Sequence, residues 1–148
     1  MNEAETRAEL IDPKIKAAGW GDIEGSQIRR EFPITKGRLI GHGKRASNDI
    51  ADYVLFYRNE AVAVIEAKSD THTATDGLDQ AKRYALQLET RFTYSTNGRA
   101  IYYCDMHTGE EGPVDNYPDP QTLWDMTYAE SDEWRDRFSA VPFESKGG

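Results

Sequence analysis

The sequence predicts an α/β (α+β) fold, one mixed β-sheet flanked by helices. Three observations carry that expectation. Two strand-like runs, 51–57 and 61–67, lie either side of the polar Arg58-Asn59-Glu60. A helical stripe follows at about 76–90, formed by Leu78, Ala81, Ala85 and Leu88. Two more strand-like runs, 92–96 and 99–104, flank Asn97-Gly98, a strong hairpin signal. Strands, a helix, then strands again make a mixed sheet covered by helices.

Residues 3–18 read as helix, with Leu10, Ile11, Ile15 and Ala18 inward. Pro13 either kinks this helix or starts a second segment capped by Asp12, and Gly19 fits a C-terminal cap. Residues 26–34 alternate, with Ile28, Arg30, Phe32 and Ile34 on one side, and Pro33 places this strand near a sheet edge. Residues 36–45 hold Lys36, Arg38, Lys44 and Arg45 with three glycines and no acid, so they read either as a phosphate-contacting loop or as a flexible polar one. Thr75 or Asp76 is the expected cap of the helix after the central hairpin. Residues 107–120, with three prolines, are expected to form a loop, and 121–128 and 130–138 two short helices. Leu123 is the apolar anchor of the first of these, and Trp124, Trp134 and Phe138 are expected on the core or on a neighbour.

A chain of 148 residues supports a single core. The expected division is a core over 1–104 and an acidic extension over 105–148, packed on it or leading to a further domain. No apolar run approaches the ~20 residues of a membrane span. The single Cys104 cannot form an internal disulfide, and the chain opens on no signal sequence, so a cytoplasmic location is expected. Net charge is −8, which argues against tight duplex binding by this chain alone. The excess is local: residues 105–148 hold 11 acidic and 3 basic residues, leaving the first 104 neutral.

The chemistry concentrates on the central hairpin. A three-residue loop at Arg58-Asn59-Glu60 pairs Tyr57 with Ala61, Phe56 with Val62, Val54 with Val64 and Asp52 with Glu66. Val62, Val64, Glu66 and Lys68 then share a face, and two carboxylates and an amine gather at its end. Opposed like charges repel, and a divalent cation between them reverses the sign. A two-residue loop shifts the register by one and turns Asp52 to the other face. An isolated Asp…Glu-x-Lys pattern is common by chance, with Glu66 paired to Lys68 at solvated strand ends. Gln80 and Tyr84, four apart, project from one flank of the following helix, which alone is an ordinary amphipathic pattern.

Together, Asp52, Glu66-Ala67-Lys68 and Gln80-x-x-x-Tyr84 resemble the motifs of the PD-(D/E)xK nuclease superfamily. More closely, they resemble the amino-terminal endonuclease region of the R (motor) subunit of type I restriction-modification enzymes, the HsdR family. Glu5-Thr6-Arg7, Leu10-Ile11-Asp12-Pro13, Gly19-Trp20 and Ala51-Asp52-Tyr53-Val54-Leu55 agree with it, so the likeness covers roughly 3–127. Ala51 stands where the superfamily name has proline, a position without chemistry.

The resemblance implies a restriction-endonuclease-like core and a metal-dependent DNA endonuclease acting on unmodified foreign DNA. It implies Mg2+ or Mn2+ held by Asp52, Glu66 and the carbonyl of Ala67, with Lys68, Gln80 and Tyr84 in the catalytic set. Glu5 or Glu9 is nominated as a helix glutamate beside the metal, although a solvent-facing helix edge accounts for both equally well. Implied partners are double-stranded DNA, the motor domains of the same subunit, and methyltransferase and specificity subunits. ATP would be used only by motor domains, since this chain has no Gly-x-x-x-x-Gly-Lys-Ser/Thr. Another repair or junction nuclease of the superfamily, or a docking module with a vestigial site, stand as alternatives.

Overall fold

A computed structural model describes residues 1–34 and 49–139, with side chains through residue 129. Lys36, Arg38, Lys44 and Arg45 lie outside the described residues. So do the side chains of Trp134 and Phe138.

The chain opens with α1 (Glu3–Thr6), a wide π-helical turn (Arg7–Ile11) and α2 (Asp12–Ala17). Pro13 therefore does not break the helix. Proline lacks an N–H and its ring crowds the carbonyl four residues back, and the widened turn just before it relieves that conflict. Asp12 caps nothing; it lies inside the helix and accepts a 2.6 Å hydrogen bond from the Tyr53 hydroxyl. Gly19, at φ 104°, ends the helix as its pattern predicts.

Among the described residues, six strands form one sheet in the order β1 (Ser26–Ile34), β2 (Asp49–Tyr57), β3 (Glu60–Ala67), β4 (Phe92–Thr96), β5 (Ile101–Asp105) and β6 (Glu111–Val114). β3 and β4 run parallel and the other neighbours antiparallel, so the sheet is mixed. The parallel pair is joined by the crossover helix α3 (Leu78–Leu88). α4 (Pro120–Ser139) closes the described chain as one helix, not two short ones. The side chain of Asp119 accepts from the Thr122 N–H, and Pro120 needs no donor there.

The core has two layers, one on each face of the sheet. Ile11, Ile15, Trp20, Tyr53, Leu55, Ile65, Tyr94, Tyr117 and Leu123 fill the layer under the N-terminal helices and α4, with Trp124 packed against it. Ile34, Ala51, Val54, Val64 and Tyr84 fill the layer under α3. The β1 pattern did not hold throughout. Ile28 packs on the first layer but Phe32 and Ile34 on the second, and Glu31 between them is left-handed, with φ 51°. A residue in that region turns the strand over, so a period of two cannot run through it.

Three boundaries also moved. β6 lies within the stretch expected to be loop; as an edge strand it tolerates Pro113. β5 starts at Ile101, because Asn97 Oδ1 accepts from the N–H groups of both Arg99 and Ala100 and holds them in the turn. Neither Thr75 nor Asp76 caps α3; Gly77 does, because the helix start is pressed onto the sheet. A Cβ on Gly77 would lie 3.1 Å from Ser95 Oγ and 3.4 Å from Glu66 Cβ. No helix among the described residues is long and apolar enough to cross a membrane.

Candidate active site

The central hairpin turns through two residues, not three. Tyr57 pairs with Glu60 and Phe56 with Ala61, and Arg58 and Asn59 are both left-handed, at φ 54° and 68°. That loop alone would turn Asp52 away from Glu66. A β-bulge cancels the shift: Leu55 pairs with Ala63, leaving Val62 extra, and the Val54–Val64 pairing follows. Val62 accordingly packs with Ala63 and Ile65 in the first layer, while Ala61 packs on the second. Beyond the bulge the expected register runs on through Tyr53 and Ile65.

Asp52 and Glu66 are thereby laced together. Glu66 Oε2 accepts from the Asp52 N–H at 2.9 Å, and Asp52 Oδ2 accepts from the Ala67 N–H at 2.7 Å. Glu66 is only 3% exposed. Burial first, and then the charge of Asp52, push its carboxyl up to about 8. Burial also raises Asp52, against the lowering effects of the Ala67 N–H and the Arg7 guanidinium. A buried and a half-buried carboxyl group with one guanidinium in contact are short of positive charge.

Lys68 follows β3 directly, and its N–H donates to Thr96 O at 2.9 Å. Its Cε lies 3.6 Å from the position a Cβ would take on Gly77, so Glu66 and Lys68 share the surface beneath the start of α3. One turn along α3, Gln80 Nε2 donates to Tyr84 Oη at 2.6 Å, and Tyr84 packs with Val54 and Val64. Among the described residues, the hydrogen bonds tie Gln80 and Tyr84 to each other and not to Lys68.

Neither nominated helix glutamate reaches the carboxylates. Glu5 closes a capping box, accepting from the Asn2 N–H at 3.0 Å, and Glu9 is exposed on the π turn. The residue that does reach them is Arg7, whose Nη2 lies 2.5 Å from Asp52 Oδ1. The same guanidinium bonds Glu3 at 2.6 Å and Glu31 at 3.2 Å. Sequence reasoning gave Arg7 no role. The available signal was Glu3-x-x-x-Arg7, an ion pair at helical spacing.

The pH dependence has a definite sign. The folded carboxyl of Glu66 binds its proton more tightly than the unfolded one, at about 8 against an ordinary 4.5. Its stabilising contribution is therefore complete below the unfolded value and is lost as pH rises through 8. In buffer free of divalent metal, Glu66→Gln should match the parent near pH 5. Near pH 9 it should exceed the parent by at least about 1.4 kcal/mol, the worth of a tenfold change in proton affinity. Urea unfolding at the two pH values measures it; a parent as stable as the variant at pH 9 would refute the buried charge.

A family model described as the second domain of the type I restriction enzyme EcoKI endonuclease subunit matches residues 31–91, the span that holds Asp52, Glu66, Lys68, Gln80 and Tyr84. The type I restriction enzyme EcoAI endonuclease subunit of Escherichia coli is 33% identical over 135 residues, or 84% of this chain and 16% of that protein. A solved fragment from Vibrio vulnificus, described as an HsdR subunit of a type I restriction enzyme, is 34% identical with a TM-score of 0.79. That match covers 89% of this chain and 26% of the other. The chain therefore spans less than a third of the length of either relative. With the fold shared over 89% of this chain and the matched span centred on the Asp52–Glu66 hairpin, the chain belongs to the HsdR family, the endonuclease subunits of type I restriction enzymes.

Proposed function

We propose that this chain is the DNA-cleaving domain of a type I restriction R subunit, hydrolysing phosphodiester bonds in unmodified foreign double-stranded DNA with Mg2+ or Mn2+. The observation that carries this reading is the hydrogen-bond-laced pair of half-buried Asp52 and buried Glu66 at the end of the hairpin, followed at once by Lys68.

The donor set fits a hard divalent cation. Both carboxylates are oxygen donors, and the pair lacks positive charge. No group of three or more His, Cys, Asp or Glu side chains that could hold a metal occurs among the described residues. Among the described residues, backbone, water or the DNA phosphate would complete the ligand set, and magnesium keeps several waters. Asp52, Glu66 and the Ala67 carbonyl would hold the ion, which when bound would lower the pKa of water and neutralise charge on the phosphate. Lys68, whose stem shares the surface beneath the start of α3 with Glu66, would orient the nucleophile or stabilise charge developing at phosphorus. Gln80 and Tyr84, bonded to each other, position Lys68 or the scissile phosphate.

The ATP-driven translocase lies outside this chain in the same reading, on motor domains of the same subunit. Site recognition lies in a complex with methyltransferase and specificity subunits in the cytoplasm. Titration calorimetry tests the metal. We expect weak Mg2+ or Mn2+ binding, abolished by Asp52→Ala or by Glu66→Ala. Binding unchanged in both variants would sink the nuclease reading and favour a docking module, to which the Arg7–Asp52 ion pair already gives some support.

A further inference from the structure

Arg7 stands on a widened helical turn and reaches three carboxylates at once. Its hold on Asp52 is a single contact. Only Nη2 touches Asp52, through Oδ1, while Oδ2 accepts from the Ala67 N–H, so the two-pronged fork that makes arginine–carboxylate pairs strong is not formed. Nη2 is shared between Asp52 and Glu3, while the buried Nε has no acceptor among the described residues. The guanidinium is thus a compromise, with two alternative partners within reach of its present position. Both alternatives are more exposed than Asp52: the side chains of Glu3 and Glu31 are 47% and 69% exposed, against 16%.

We propose that Arg7 is a displaceable counter-cation: it holds Asp52 while no metal is bound, and Glu3 and Glu31 take it over when a divalent cation arrives. This rests on the metal reading above. A metal ion and a guanidinium on one carboxylate repel each other strongly in a partly buried setting. Retaining Arg7 on Glu3 and Glu31 keeps its charge paired after the exchange. Without metal, the arrangement spares Asp52 and Glu66 part of their mutual repulsion.

The test is a double-mutant cycle on the 148-residue chain, with Mn2+ binding read by calorimetry. Arg7→Gln should tighten Mn2+ binding about tenfold or more, because the competing charge is gone. It should also lower the thermal midpoint measured in chelator. Glu31→Gln should weaken binding, because the displaced guanidinium loses an acceptor, and should have no effect once Arg7 is glutamine. An unchanged or weaker affinity in Arg7→Gln overturns the proposal. An equal Glu31→Gln effect in both backgrounds overturns the hand-off, leaving only a general field. Glu31 is mostly exposed, so Glu31→Gln folds even if Arg7→Gln does not, and an affinity unchanged in Glu31→Gln alone also overturns it. If neither the parent nor any variant binds Mn2+, the metal reading itself fails, a distinguishable result.

Discussion

Lys68→Ala, placed in a full-length R subunit assembled with its partners, should lower DNA cleavage at least about a hundredfold while ATP turnover persists. The substitution keeps both proposed metal ligands and removes the amine with its alkyl stem. Asp52 and Glu66 stay laced through the Asp52 and Ala67 N–H groups, neither of which involves the Lys68 side chain. The Lys68 N–H still donates to Thr96 O, so the end of β3 keeps its place in the sheet. In the proposed role, what is lost is one cation that would stabilise transition-state charge, a loss worth about 3 kcal/mol in sites of that kind. Plasmid cleavage measured beside ATP hydrolysis separates the two activities. Cleavage at the parental rate would remove Lys68 from the catalytic set and make the docking reading the better one.

Arg91→Ala should cost the domain about 3–5 kcal/mol of stability at neutral pH, the range for breaking a buried ion pair by removing one partner. Arg91 grips Asp105 with both prongs of its fork, Nε and Nη2 each at 2.9 Å, and its Nη1 donates to Met126 O at 3.0 Å. One side chain thus joins the start of β4, the end of β5 and α4. Asp105 is 4% exposed. Burial alone would raise its carboxyl, but the Arg91 guanidinium and the N–H groups of His107 and Thr108 hold it below the usual range. A depressed folded value stabilises above the unfolded pKa and is lost as pH falls through the folded one. The gap between variant and parent should therefore be full at pH 7 and shrink in acid below the ordinary carboxylate range. Urea unfolding at pH 7 and in acid measures both; a gap that persists undiminished in acid would assign the loss to packing instead of the ion pair.

What the sequence determined by itself was local and periodic. The apolar runs of β2 and β3 and the stripe of α3 announced a mixed sheet flanked by helices, and Pro33 marked the edge strand. The motif spacing brought Asp52, Glu66, Lys68, Gln80 and Tyr84 to attention, and these lie within the span matched by the family model. The tertiary structure decided everything that depends on two segments at once. Asp52 meets Glu66 through two departures that cancel, a two-residue loop and a bulge at Val62, and no alternation pattern reveals an unpaired residue whose neighbours are all apolar. Arg7 reaches Asp52 from 45 residues away, at a distance set by how the helix packs on the sheet. Periodicity reports which face a side chain takes. A long-range charge contact depends on where two elements come to rest against a common core, and that follows from packing.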